Sequence, residues 1–180
     1  MKNFKVNIKK IKKNIELKTN FWVNKEYTNC YAYALGLDVK EDELIPDAYG
    51  LGVFFSEKEG FDKRLLPYFS KEARFLKDLK VLKIKSKKVP YNDKIRDNEK
   101  YVYNLISILE SGTGSDFHFL RKSMEDGTWW HKRGWHEAPT NKDDLGNIIT
   151  NPQEAVIGNY FYLNTYKLKL KRKEIRRLEC

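Results

Sequence analysis

Residues 101–134, YVYNLISILESGTGSDFHFLRKSMEDGTWWHKRG, carry the clearest fold signal in the chain. Three β-rich runs, YVYNLISILE, DFHFLRKSM and TWWHKRG, are separated by SGTGS and EDG, whose glycines and small polar residues suit tight reversals. The expectation is three consecutive antiparallel strands. Further on, APTNKDDLGNIITNPQEA (138–155) is turn-dense, with Asn141 and Asp143 placed to build turns, and NYFYLNTYKLKLK (159–171) alternates as a last strand should.

Upstream of this β-rich part the periodicity is helical. TNCYAYALGL (28–37) has polar starters at Thr28 and Asn29, small residues at Ala32 and Ala34, and Gly36 as a stop. It reads as a short helix with Cys30 in its first turn. SKEARFLKDLKVLKIK (70–85) places Ala73, Leu76, Leu79 and Leu82 at helical steps behind Ser70 as a cap, then runs into a basic connector, KIKSKKVP. Between them, residues 38–64 contain Pro46, Gly50, Gly52 and Gly60 and read as a long loop with little regular structure. The N-terminal FKVNIKKIKKNIEL mixes strand-like and helical spacing. Helices followed by a mostly antiparallel sheet define an α+β fold, with the helix that bears Cys30 packed on one sheet face.

Composition bounds the function. A chain of 180 residues, 41% hydrophobic, supplies one ordinary core, so residues 1–180 are expected to form a single domain. No apolar run reaches the roughly 20 residues of a membrane span, and the first residues lack the apolar stretch of a secretory signal. A cytoplasmic location follows as the expectation, with delivery outside the cell left to a route that uses no signal. Only Cys30 and Cys180 are present, which gives no basis for a disulfide framework.

The formal charge of +10 is uneven: residues 1–20 carry +6, 71–100 carry +6 and 167–180 carry +5, while 101–166 sum to −3. The lysine-rich segments suit a polyanion such as nucleic acid, and equally suit a surface that lysines merely solvate.

A thiol becomes a nucleophile where a helix dipole or an imidazole lowers its pKa. Cys30 is expected to have the first, and His118 and His131 can supply the second. His118 sits between Phe117 and Phe119, so its side chain points to the face opposite both rings. With those rings turned outward or to a second layer, His118 faces the helix. His131, 13 residues on across the SMEDG turn, can lie beside it on the neighbouring strand.

These types in this order suit acyl transfer. Cys30 attacks a carbonyl carbon, His118 pairs with the thiolate and later protonates the leaving group, and His131 fixes the tautomer of His118. The backbone N–H of Cys30 would hold the oxyanion, with Asn24 as a side-chain donor. Asp116, two residues before His118, could tune the imidazole. Trp129, Trp130 and Trp135 cluster near His131, and Trp129 and Trp130 are candidates for a substrate cleft. His136 reads as a loop histidine. There is no C-x-x-C or H-E-x-x-H and no phosphate-binding glycine loop, so neither a metal nor a cofactor is expected.

A cysteine at a helix start, a histidine on a later strand and a second polar residue 12 or 13 positions further resemble the NlpC-type papain-like cysteine peptidases and amidases. More narrowly, NCYAYALG, DFHFLRK, DGTWWHKRG and TNKDDLGNIITNP resemble a poorly characterised bacterial and viral branch near that class. The resemblance touches roughly residues 22–37 and 114–166. It implies a papain-like fold, Cys30 as nucleophile, His118 as base, His131 as orienting residue, and an amide substrate such as a peptide or a peptidoglycan-like stem. Two departures stand out: Asn29 occupies the place of the family's usual aspartate, and residues 38–112 form a longer insertion, read as lid-like. The reading from a different class is a catalytically inactive basic protein that binds a polyanion on the same fold.

Overall fold

The computed structural model describes residues 29–36, 50–60, 62–96, 98–99, 102–134 and 137–170. The N-terminal lysine-rich segment, Asn24, Trp135, His136 and Cys180 lie outside them.

Five strands form one sheet: β1 (Ile84–Val89), β2 (Val102–Ser111), β3 (Phe117–Lys122), β4 (Trp129–His131) and β5 (Tyr160–Leu170). Their order is β1-β5-β2-β3-β4, and every neighbouring pair is antiparallel. With three α-helices, α1 (Cys30–Leu35), α2 (Val53–Glu59) and α3 (Lys71–Val81), and a 3-10 turn over Lys63–Tyr68, the architecture is α+β.

Strands β2, β3 and β4 follow one another as the turn signals require, and the last strand forms where the alternation places it. Its location in the sheet is non-local, because β5 enters between β1 and β2. β1 corrects the reading of KIKSKKVP as a connector. Alternation of Ile84, Lys85, Ser86 and Lys87 buries Ile84 and exposes the two lysines, which suits a charged edge strand.

Period two divides the core by sheet face. On one face Ile84, Ile106, Ile108, Phe119, Tyr166 and Leu168 pack with Tyr31 and Leu35 of α1 and Phe75 and Leu79 of α3. On the other, Leu105, Leu109, Leu120 and Trp129 meet Ile149 and Ile157 from the 141–157 loop. Fully buried side chains such as Phe75 and Leu79 each contribute about 2 kcal/mol.

Both predicted helices form, and their caps are the expected ones. Asn29 accepts a hydrogen bond from Ala32 N at 2.8 Å, and Gly36 ends α1 at φ 71°, where a side chain would be strained and a Cβ would meet Arg121 Nη1 at 3.2 Å. Ser70 caps α3 through Ala73 N at 3.1 Å. The buried stripe of α3 differs from the expected 73/76/79 steps. It runs through Lys71, Phe75, Asp78 and Leu79, and Leu76 is exposed, because the bulkier Phe75 takes the core position.

Within residues 38–112, read as an insertion or lid-like region, the described part contributes Phe54, Phe75, Leu79, Ile84 and Ile106 to the main core. Residues 53–59 are helical where a loop was expected. The buried carboxylate of Asp78 explains part of this. It accepts hydrogen bonds from Gly52 N (2.6 Å), Phe55 N (2.9 Å) and the Tyr31 hydroxyl (2.9 Å), satisfying the otherwise unpaired amides at the start of α2 and tying α1 to α3.

Candidate active site

The site is built where β4 stops. The N–H and C=O of His131 bond to Thr140 and the N–H of Trp129 bonds to Ile149 O, so both residues turn their backbone groups away from β3. Trp130 therefore bonds across to Arg121 and, two residues earlier on β3, Phe119 presents its N–H to the lane β4 would have occupied. That lane is empty of strand, because the register ends at Leu120↔His131. The first residue of α1 fills it: the Cys30 sulfur is faced by the N–H groups of Phe119, Tyr31 and Cys30 itself.

The histidines meet on the far face. Leu109 stands opposite His118 and Leu120 opposite His131, so both imidazoles share the face of Leu109 and Leu120. Phe119 packs instead on Tyr31 of α1, with ring centroids 5.0 Å apart. This corrects the expectation that His118 faces the helix: the phenylalanines are the larger apolar surface, and they take the helix side. Cys30 and His118 share no direct hydrogen bond. Their link is positional, since the sulfur sits at the edge of β3 beside the residue that follows His118.

Hydrogen bonding assigns the tautomers. His131 Nε2 is 3.0 Å from the Lys142 carbonyl, which can only accept, so Nε2 carries the proton. In the neutral ring Nδ1 is then an acceptor, and it lies 2.8 Å from His118 Nε2, which must donate. His118 Nδ1 is left with the free lone pair.

Burial sets the charge state of both groups. It pushes the Cys30 thiol up to about 12, against the downward pull of the Phe119 N–H, and the Asp116 charge adds to the rise. The helix dipole expected to lower it belongs to a helix of only six residues and is outweighed. Burial likewise pushes the His118 imidazole down to about 3, with the neighbouring His131 and the Arg133 guanidinium adding to the fall. His131 is lowered by burial and partly restored by the Lys142 carbonyl. The resting pair is neutral thiol and neutral imidazole, in place of the expected ion pair.

Asp116 is held in the β2–β3 turn: its Oδ1 accepts from Phe117 N at 2.7 Å and its Oδ2 from the Tyr160 hydroxyl at 2.6 Å. Its charge also favours protonated His118, after burial, His131 and Arg133 in weight. Arg133 pairs with Asp144 beside the histidines.

Trp129 is fully buried in the second core, so it offers a substrate no surface and is corrected from cleft candidate to packing residue. Trp130 is half-buried and donates from Nε1 to Thr128 Oγ1 at 2.9 Å. Asp143 builds turns as expected, accepting from Leu145 N and Asn147 N at 3.0 and 2.8 Å. Among the described residues no three His, Cys, Asp or Glu side chains gather as metal ligands, and no helix is long and apolar enough to cross a membrane.

Sequence reasoning missed Tyr160. Its ring lies 5.5 Å from that of His118, and burial, with the hydrogen bond to Asp116, holds its phenol above the usual range. Alternation along β5 puts Tyr160 on a face but does not show which.

Comparison with family models, with curated proteins and with solved structures finds no match to this chain.

Proposed function

We propose that the protein is a cysteine hydrolase of the amidase or peptidase type, with an arrangement resembling the NlpC-type papain-like enzymes. The observation that carries this reading is the run from the Lys142 carbonyl through His131 to His118, which leaves His118 Nδ1 as a base at the strand whose next residue touches Cys30. The run fixes both tautomers, so the nitrogen of His118 that stands outside it is the one able to accept a proton.

With both groups neutral at rest, proton transfer accompanies attack. Cys30 Sγ forms a bond to the substrate carbonyl carbon while its proton passes to His118 Nδ1, a step that requires the sulfur and the imidazole, not hydrogen-bonded in the free protein, to be brought together when substrate binds. The oxyanion is held by backbone N–H groups, that of Cys30 among them. Collapse breaks the C–N bond, and His118 returns the proton to the departing amine. Water, deprotonated by His118, then attacks the thioester, releasing the acid and restoring the thiol. His131 keeps the base nitrogen free throughout. Substrates of this class are amides of peptide or peptidoglycan-like character.

The test is acylation by p-nitrophenyl acetate, followed by nitrophenolate release and intact mass. The expected result is one acetyl group on Cys30, absent in Cys30→Ala and formed at least about a hundredfold more slowly in His118→Ala. An unchanged rate in His118→Ala ends the proposal.

A second reading rests on β1. Lys85 and Lys87 are exposed on this edge strand, within a lysine-rich stretch whose charge suits a polyanion. Binding of a random DNA duplex through these lysines must fall steeply as salt rises. Binding that is flat with salt disposes of it.

A further inference from the structure

Tyr160 owes its position to an irregularity in the sheet. Along β5, Tyr166 and Asn164 pair with Ile106 and Ile108 on the helix face, where Asn164 Nδ2 donates to Glu72 Oε1 of α3 at 2.7 Å. Unbroken alternation would send residues 162 and 160 to that same face. The register instead shifts between Ile108 and Leu109, so that Leu109 pairs with Tyr162 and Ser111 with Tyr160. One extra residue on β5 turns both tyrosines to the face that carries His118. A β-bulge spends a ladder position to re-aim a side chain, and here the side chain re-aimed is Tyr160.

Two contacts then define what it does. The ring lies against the His118 imidazole, at 5.5 Å between centroids and 40° between planes. The hydroxyl donates to Asp116 Oδ2 at 2.6 Å, short and charge-assisted. Asp116 is itself fixed, accepting from Phe117 N and donating its own N–H to Ser111 Oγ at 3.0 Å. His131 holds one side of the His118 ring by its nitrogen, and Tyr160 packs against the ring as well.

We infer that Tyr160 is a positioning residue for the proposed reaction: its ring fixes the His118 imidazole, and its hydroxyl locks that ring to Asp116. The inference rests on the cysteine-hydrolase reading above. Tyr160 stays protonated over the working range, so it acts as a fixed donor and ring surface, with no proton of its own to exchange. The other groups facing His118 are His131 from β4, Arg133 just beyond it, Asp144 from the 141–157 loop and Asp116 at the head of β3.

The experiment measures the Cys30-dependent rate of acylation by p-nitrophenyl acetate, followed by intact mass from pH 2.5 to 8 so that the acid limb set by His118 is covered, each variant corrected by its Cys30→Ala counterpart. Tyr160→Leu is expected to lower the rate about a hundredfold and Tyr160→Phe about tenfold, the size of a modest misplacement of a reacting group. Both should also displace the pH at which the rate is half-maximal, which a merely structural loss of folded protein leaves in place. Folded Tyr160→Leu with the wild-type rate and profile overturns the inference. Should Tyr160→Leu not fold, Tyr160→Phe with a wild-type rate and profile overturns it. His118→Ala separates the two levels: a normal rate there defeats the hydrolase reading itself, whereas a slow His118→Ala beside normal Tyr160 variants defeats only the role of Tyr160.

Discussion

His118 Nε2 lies 2.8 Å from His131 Nδ1, and the two rings stand at 85°. At this angle the lone pair of one ring lies in its own plane and meets the N–H of the other, so the contact selects a tautomer as well as holding a ring. Removing His131 frees His118 to place its proton on either nitrogen and to turn.

His131→Ala should therefore lower Cys30 acylation by p-nitrophenyl acetate about a hundredfold or more, since a base held in the wrong tautomer costs up to about 10⁴ in related triads. The lesion acts on the proton acceptor, so ¹⁵N chemical shifts of His118 should report the change directly. A His118 spectrum identical with wild type beside a normal acylation rate removes His131 from the mechanism.

Cys30 gives a prediction of opposite character. A thiol pushed up to about 12 is almost wholly protonated at pH 8, whereas a free cysteine near 8.5 is not, a difference of about three powers of ten in thiolate. Iodoacetamide, which needs thiolate and receives no help from a bound carbonyl, should modify Cys30 at least about a hundredfold more slowly than free cysteine at pH 8. Reaction should accelerate with each unit of pH up to about 12. Rapid alkylation at pH 6 to 7 contradicts a neutral resting pair and points to the thiolate–imidazolium form.

What the sequence discloses is local. Alternation and glycine turns make β2, β3, β4 and β5 readable one at a time, and Asn29 and Gly36 mark both ends of α1 because caps depend on immediate neighbours. The proximity of His118 and His131 is legible for the same reason, as a single hairpin joins them. The insertion of β5 between β1 and β2 is a long-range choice that no window of sequence contains. Period two tells that His118 opposes Phe117 and Phe119, yet which face receives α1 depends on the apolar area brought by α3 and Tyr31. Tyr160 was hidden by the bulge, which reverses the parity that alternation would assign. The charge state of Cys30 turns on burial, a property of the packed molecule, and burial outweighs a helix of six residues.

Asp78 connects the core to pH. Burial raises its carboxyl from 3.8 to about 6, more than the N–H groups of Phe55 and Gly52 and the Tyr31 hydroxyl lower it. A carboxyl with a folded pKa above its unfolded one favours the folded state most when protonated, so its contribution is complete below pH 4 and lost as pH rises to about 6. The shift corresponds to about 3 kcal/mol. Asp78→Asn does not titrate, and its amide nitrogen cannot accept a hydrogen bond as the second carboxyl oxygen can from Gly52, Phe55 or Tyr31, so the variant should be less stable than wild type at pH 4. The margin in unfolding free energy between wild type and Asp78→Asn, measured by urea denaturation, should shrink by about 2 kcal/mol between pH 4 and pH 6.5 and then stay level. A margin that grows with pH means that the carboxylate is the form the core prefers. In that case the three donors around Asp78 outweigh its burial, and the link between α1 and α3 is held by a charge.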